Sequence, residues 1–336
     1  MISVKVMIEI ENVNYSNMDI KIRIFLFHRV SPQRNLLWNP MTPKLFEQIV
    51  VYLNNRYEIV PLEKTLTGQH KLKGEKELCA ITFDDGYKDF IDYAFPILQK
   101  HKSPSSMYIV TDCADNNTPP WTYIINHLFI NTSHISLDLK SKALPPSLKK
   151  INWRNSRERI AYAKKLSAFL KQLNNKEREL IFEQIVKDFN DVEKPEGMML
   201  SWDEIRYLHQ NGCEIGSHSV SHPLLAKKSN VTEIASELTE SGKIIEKQIG
   251  KFPIAISYPF GSYNDLTKKA SQEAGYKVGI TVNPVQFDSK KHNLFEVPRI
   301  ELFDEPFLKS KLRMAGIIGG INNFLKTIMI TGVFDY

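Results

Sequence analysis

The chain has 336 residues, enough for one large domain or two of ordinary size. Hydrophobic residues make up 42% and charged residues 24%, a balance that excludes a disordered chain. The net charge of +6 is too mild and too spread for a nucleic-acid-binding stripe, so no nucleic-acid partner is expected; it suits a slightly basic surface or a weak preference for an anionic partner.

Ile22–His28 is a short apolar run of strand length. Thr42 followed by Pro43 reads as an N-cap with a first-turn proline, opening a helix through about Arg56. Leu78–Phe83 is a second strand and stops at Asp84–Asp85–Gly86. A helix from about Asp89 to His101 carries Phe90, Tyr93, Ala94 and Ile97 on one face and meets a bending residue at Pro96. Ser106–Thr111 is the next strand. The stretch from Cys113 to Met199 differs: a polar, proline-containing loop, then Trp121–Ile124, then charged helical sequence from Trp153 to Asn190. It reads as a mostly helical insertion.

Alternation then resumes. Ser201–Glu204 has the form of a capping box and opens a helix to about Gln210. Cys213–Gly216 is a strand, Thr232–Ile249 a long amphipathic helix closed by Gly250, and Ile254–Ser257 a strand. Asp265–Ala274 is a helix closed by Gly275, and Val278–Thr281 a strand. Repeated strand–helix units imply parallel strands covered by helices, as an open sheet or a barrel.

Cys79, Cys113 and Cys213 are scattered, without a CxxC pair, which argues against a disulfide framework and suits a reducing compartment. Glu9, Glu11 and Asp19 interrupt the N-terminal apolar residues, so no secretory signal is read, and no apolar run reaches membrane-spanning length. The expected location is cytoplasmic.

Four strand ends carry polar residues: His28, Asp84–Asp85, His218 to His222, and Tyr258–Gly261. Carboxyl ends of parallel strands are where functional groups gather, and a barrel would bring these four to one face. If their segment turns helically, His218 and His222 face the same way. Two imidazoles and a carboxylate make a three-ligand set of the kind found at catalytic zinc, with one position left for water. The paired aspartates would divide the work, one binding metal and the other free as a general base.

Thr82–Gly86, His218–Ser219–Val220–Ser221–His222–Pro223 and Tyr258–Pro259–Phe260–Gly261 resemble the first three motifs of the polysaccharide deacetylase family, the NodB-homology domain, in family order. The resemblance spans about Cys79 to Thr281. It implies an α/β fold, a distorted (β/α) barrel, here with a mostly helical insertion, a divalent metal, usually zinc, and hydrolysis of an acetyl group from an N-acetylated sugar in a polysaccharide, oligosaccharide or glycolipid, as in bacterial surface-glycan metabolism. Some members act on O-acetyl groups. By the same resemblance Asp84 would be the catalytic base, Asp85, His218 and His222 the metal ligands, and the Phe260 N–H an oxyanion donor; Ser219 would orient the turn between the histidines.

Two departures stand out. Where many members carry an arginine two residues before the motif-three proline, this chain has Ser257, and Arg299 is the candidate replacement to orient the base, with an ordinary surface arginine as the alternative. The late Leu-x-His motif of the family is absent, but Leu26–Phe27–His28 has that form and resembles the circularly permuted branch, in which this strand comes first. His28 is therefore the expected acid, with a histidine satisfying a buried hydrogen bond as the alternative. Trp38, Trp121 and Tyr263 are candidates for stacking on sugars, each with a packing role as the alternative.

A single deacetylase barrel is expected over 1–310, with its motif-bearing core at about 76–300 and the insertion at about 113–200. Residues 311–336 form an amphipathic C-terminal segment. Met314, Ile317, Ile318, Ile321, Leu325 and Ile328 fall at helical spacing behind Lys309, Lys311 and Arg313. That stripe would either cover the barrel or, through 311–334, touch the inner face of an anionic membrane near lipid-linked sugars. A glycan-binding protein with a retained metal site but little turnover, and an interaction domain built on structural zinc, are the rival readings.

Overall fold

A computed structural model describes residues 19–318, apart from positions 73, 75, 228 and 229. The C-terminal stripe beyond Ile318, including Ile321, Leu325 and Ile328, lies outside the described residues; Met314 is fully buried in the core and Ile317 is half exposed.

The chain runs through β1 (Lys21–Phe27), α1 (Pro43–Arg56), β2 (Glu58–Ile59), α2 (Leu62–Leu66), β3 (Leu78–Phe83), α3 (Phe95–Lys100), β4 (Ser106–Ile109) and α4 (Thr111–Asn116). An excursion follows, made of α5 (Trp121–Asn131), β5 (Ser136–Asp138), α6 (Pro146–Lys149), β6 (Lys150–Asn152), α7 (Ser156–Leu170) and α8 (Asn175–Asp188). It returns through α9 (Trp202–Gln210), β7 (Glu214–Ser217), α10 (Val231–Ile249), β8 (Ala255–Ser257), α11 (Asp265–Ala274), β9 (Val278–Ile280), β10 (Phe287–Asp288), β11 (Ile300–Glu301) and α12 (Phe307–Met314).

One curled sheet in the order β10-β1-β3-β4-β7-β8-β9 forms the frame, with β2 beside β3 and β11 beside β1. All these pairings are parallel except β1 with β10. The segment from Val297 to Glu301 bridges its two sides: Val297 pairs with Ile280 next to β9, and Ile300 pairs with Phe25 of β1. That segment closes the sheet into a distorted (β/α) barrel.

The pleat decides which side chains enter the barrel. Ile22 and Ile24 of β1, Ala80 of β3, Tyr108 of β4, Ala255 of β8, Val278 and Ile280 of β9, and Val297 pack together inside. Their chain neighbours Phe25, Phe27, Cys79, Ile81, Phe83, Met107, Ile109 and Ile215 pack outward against helices such as α1 and α9. Because side chains alternate with period two, the same inner rows end in His28, Asp84, His218, Ser257, Arg299 and Glu301. Gly216 belongs to an inner row, and a Cβ there would sit 2.4 Å from the Tyr108 ring, so only glycine lets that ring fill the barrel.

Most expected elements occur, and the differences have local causes. Asp89–His101 is not one α-helix: a π-helical turn at Phe90–Ala94 precedes α3, taking up the missing donor and steric demand of Pro96. Thr111 opens α4 instead of ending a strand. The charged run from Trp153 to Asn190 breaks after Leu170, where Asn174 caps a new helix by accepting from the Glu177 N–H. The insertion also holds a small antiparallel pair, β5 with β6. It has an apolar core of its own, with Phe129, Leu166, Ile181, Ile185 and Phe189 fully buried.

Candidate active site

Gly86 and Asp85 both adopt positive φ, 83° and 75°, making a tight turn directly after β3. The turn leaves Asp84 pointing along the inner row and swings Asp85 toward β7. His218 follows β7 and donates its backbone N–H to Ile109 O at 2.7 Å. The two histidines do not lie on a helical turn. Ser219 and His222 instead take left-handed backbone, φ 67° and 56°, and the loop is tied by the Ser219 Oγ, which accepts from the His222 N–H at 3.1 Å. Folded this way, the imidazoles lie with ring centroids 4.9 Å apart.

Asp85 Oδ1 stands 3.4 Å from His218 Nε2 and 3.3 Å from His222 Nε2. It is buried yet accepts no hydrogen bond, a costly state for a carboxylate unless something else occupies the gap. Zinc donors about 2.0–2.2 Å from a tetrahedral ion lie roughly 3.3 Å from one another. One ligand atom from each of the three residues lies within 4.8 Å of the others. His218 Nδ1 sits 2.7 Å from Ser257 O, so this nitrogen carries the proton and Nε2 keeps its lone pair toward the gap. The donor set fits a divalent cation.

Asp84 is a different carboxylate. Arg299 grips it with two bonds, Nη1 to Oδ1 at 2.8 Å and Nη2 to Oδ2 at 2.6 Å, and Ser257 Oγ donates to Oδ2 at 3.1 Å. Burial pushes the Asp84 carboxyl upward, but the Arg299 charge and its two hydrogen bonds outweigh it and hold the group below the ordinary carboxylate range. Arg299 is fully buried, so it is no surface arginine. Its Nη2 donates to Ser257 Oγ at 2.8 Å and its Nε to Thr281 O at 3.1 Å. The small Ser257 leaves space for the guanidinium, which reaches it from the closing segment beside β9.

His28, at the end of β1, lines the same 620 Å³ cavity as Asp84, Asp85, His218, His222 and Phe260. Its Nδ1 lies 3.6 Å from Glu301 Oε1. Glu301 has no motif around it, and its only sequence signal is an alternation with Val297 and Arg299. Trp38 also lines the cavity, edge-on to His28 at 5.5 Å. Phe260 has φ 58°, and its ring packs on His222 at 4.5 Å.

Two aromatic candidates lie elsewhere. Trp121 is buried in the insertion, 5.9 Å from the Phe260 ring and with the Arg178 guanidinium 5.0 Å from its own, so it backs the motif-three loop without lining the cavity. Tyr263 stacks on Tyr258 at 5.5 Å outside the cavity lining. Both pack against neighbouring rings, and neither lines the cavity. The insertion contributes other groups to the cavity, Thr122, Tyr123, Asn126, Lys164, Ser167, Ala168 and Lys171, none of which carries a recognisable motif.

With this geometry in hand, comparisons with known proteins point one way. The family model described as "Polysaccharide deacetylase" matches residues 71–279. The chain is 21% identical over 266 residues to YxkH of Bacillus subtilis (strain 168), named a putative polysaccharide deacetylase; the match covers 79% of this chain. The chain spans 65% of the length of that relative. Its fold is similar to the deacetylase PplD of Streptococcus pyogenes, solved with acetate, at a TM-score of 0.58 and 19% identity, covering 88% of this chain and 99% of the other. A de-N-acetylase from Aggregatibacter actinomycetemcomitans matches at a TM-score of 0.56 and 15% identity, over 88% and 99% of the two chains.

Proposed function

The chain belongs to the polysaccharide deacetylase family, and from that premise we propose that it hydrolyses the N-acetyl group of an amino sugar within a glycan or glycolipid, yielding the free amine and acetate. The observation that carries the proposal is Asp84, a buried carboxylate held by a buried guanidinium beside the converging ligand atoms of Asp85, His218 and His222. A divalent cation held by those three residues, zinc by its liking for two imidazoles and a carboxylate, would supply Lewis-acid polarisation of the acetyl carbonyl and a more acidic water.

The chain's own groups divide the remaining work. Asp84 takes the proton from the attacking water; Arg299 and Ser257 keep it ionised and aimed, which makes them positioning residues. The Phe260 N–H donates to the oxygen that becomes negative as the carbonyl carbon turns tetrahedral. His28 delivers a proton to the leaving nitrogen, without which an amide nitrogen departs poorly, and the Glu301 carboxylate beside its Nδ1 holds the ring in place. Trp38 flanks the same ring and offers an apolar face to a sugar.

The rival reading, a glycan-binding protein with little turnover, rested on the missing motif-three arginine. Arg299 bonded to Asp84 removes that support. The test is acetate release from acetylated oligosaccharides and glycolipids by the zinc-loaded protein, beside Asp84→Asn. The variant is expected to bind zinc as before and to lose acetate release by at least about 10²-fold, the scale of a general base. Full activity in the variant would overturn the proposal.

A further inference from the structure

Helix α7 presents Lys164, Ser167 and Ala168, and its C-cap residue Lys171, to the cavity that holds Asp84, Asp85 and the two histidines. Residues seven apart complete about two helical turns, so the two lysines share one face, roughly 10 Å apart along the axis. Ser167 and Ala168 lie between them and are small, which keeps that face open. The Lys171 ammonium lies 5.0 Å over the Phe260 ring, and that ring packs on His222. Neither lysine makes an ion pair among the described residues. Other lysines of the chain do, for example Lys88 with Glu204 at 2.9 Å and Lys100 with Glu47 at 2.7 Å.

The cavity's acids answer the two ammonium groups only in part: Glu301 and Asp85 act on Lys171 from a distance, without outweighing the burial that lowers it. Asp84 is matched by Arg299, Glu301 faces His28, and Asp85 stands with the histidines around a cation position. With those acids committed, two positive charges remain, in a cleft where low-dielectric walls strengthen their field. A solvated helix face would scatter lysines round the helix; these two converge on the cavity from an insertion whose own packed core fixes α7. The Asn126 side chain of α5 lines the same cavity and adds a neutral donor.

We propose that Lys164 and Lys171, with Asn126, form an anion subsite, and that the preferred glycan carries an acidic group, a uronate carboxylate or a phosphate ester, on a sugar near the acetylated one. This rests on the deacetylase reading above and names its substrate class. Lys171 anchors the end of the subsite next to the reacting group, and Lys164 extends it along α7.

The test compares N-acetylhexosamine oligosaccharides of equal length that are neutral, uronate-bearing or phosphate-bearing, with the zinc-loaded protein. The acidic series is expected to have a kcat/KM about tenfold above the neutral one, carried by KM, and to lose that advantage at high salt. The uronate and phosphate arms show which acid is preferred. Lys164→Ala/Lys171→Ala should bring the acidic-to-neutral ratio to about one, Lys164→Arg/Lys171→Arg should keep most of it, and Lys165→Ala, one position round the helix, should leave it alone. Calorimetry on the Asp84→Asn protein reads the same preference as binding, without turnover. Equal handling of neutral and acidic glycans, or a ratio unmoved in the double alanine variant, overturns the subsite while leaving the deacetylase reading intact. Acetate release from none of the glycans overturns that reading, and the binding ratio still decides the subsite.

Discussion

Arg299 brings a permanent charge into a barrel with no exposure, and nearly every donor it carries has a partner: both oxygens of Asp84, Ser257 Oγ, Thr82 Oγ1 and Thr281 O. A buried pair of this kind adds little net stability over an apolar substitute, but removing one member strands the other. Arg299→Gln is therefore expected to cost about 3–5 kcal/mol in denaturant unfolding, leaving Asp84 buried and unanswered. Arg299→Lys keeps the charge but loses the two-pronged grip, so it should fold better than the glutamine variant and still release acetate roughly 10²-fold more slowly than the parent. Rescue of both stability and rate by lysine would count against a role for the grip in aiming Asp84. Arg299 was legible in the sequence as a candidate because a polar residue after a strand-like run needs explaining. Glu301 was not, because its meaning comes only from lying beside β1 once the barrel closes.

Among the elements, the helical insertion and α2 depend on carboxylates in opposite ways. Asp191 closes the far end of α8 onto the loop after α5, accepting from the Ser133 N–H at 2.6 Å and from the Ser133 and Thr132 hydroxyls. Partial burial raises its carboxyl, but these donors, with His134 nearby, bring it down to about 2. Since the folded value lies below the ordinary one, its stabilisation is complete above about pH 5 and is lost as pH falls toward 2. Thermal melts should show the insertion weakening across that window, and Asp191→Ala should flatten the dependence. Glu63 shows the reverse sign. Burial first, and then the charge of Glu214, push its carboxyl well above the ordinary range, while the Glu214 carboxylate caps α2 by accepting from the N–H groups of Glu63 and Lys64. A raised folded value favours the protonated fold, so stability falls as pH rises; Glu63→Gln should gain thermal stability over the parent at pH 8 and little or none at pH 4. The barrel strands and most caps could be read from alternation and capping residues. The left-handed backbone at Ser219 and His222, the π-helical turn before Pro96 and the β5–β6 pair could not, because loop geometry and contacts across the chain decide them.

At the scale of the whole molecule, the apolar frame and the cation position are separable. The barrel interior and its outer layer are filled by buried hydrophobic residues, with the Asp85, His218 and His222 cluster at one rim. Chelation with a strong ligand should abolish acetate release while circular dichroism and the melting transition change little, and zinc should restore the activity. Unfolding on chelation would instead favour the structural-zinc reading. The alternation that fills the barrel also aims the polar row: inner positions of β1, β3, β7 and β8 lead to His28, Asp84, His218 and Ser257, which is why a strand assignment made from sequence already pointed to most of the site. The closing segment from Val297 to Glu301 completes that row, and it is made after every other strand of the barrel. Both aspartates and both histidines precede that segment in the chain, yet Asp84 has no counter-charge until Arg299 is made and the segment has folded against β1 and β9. The three residues around the cation position can therefore come together before the carboxylate beside them is held.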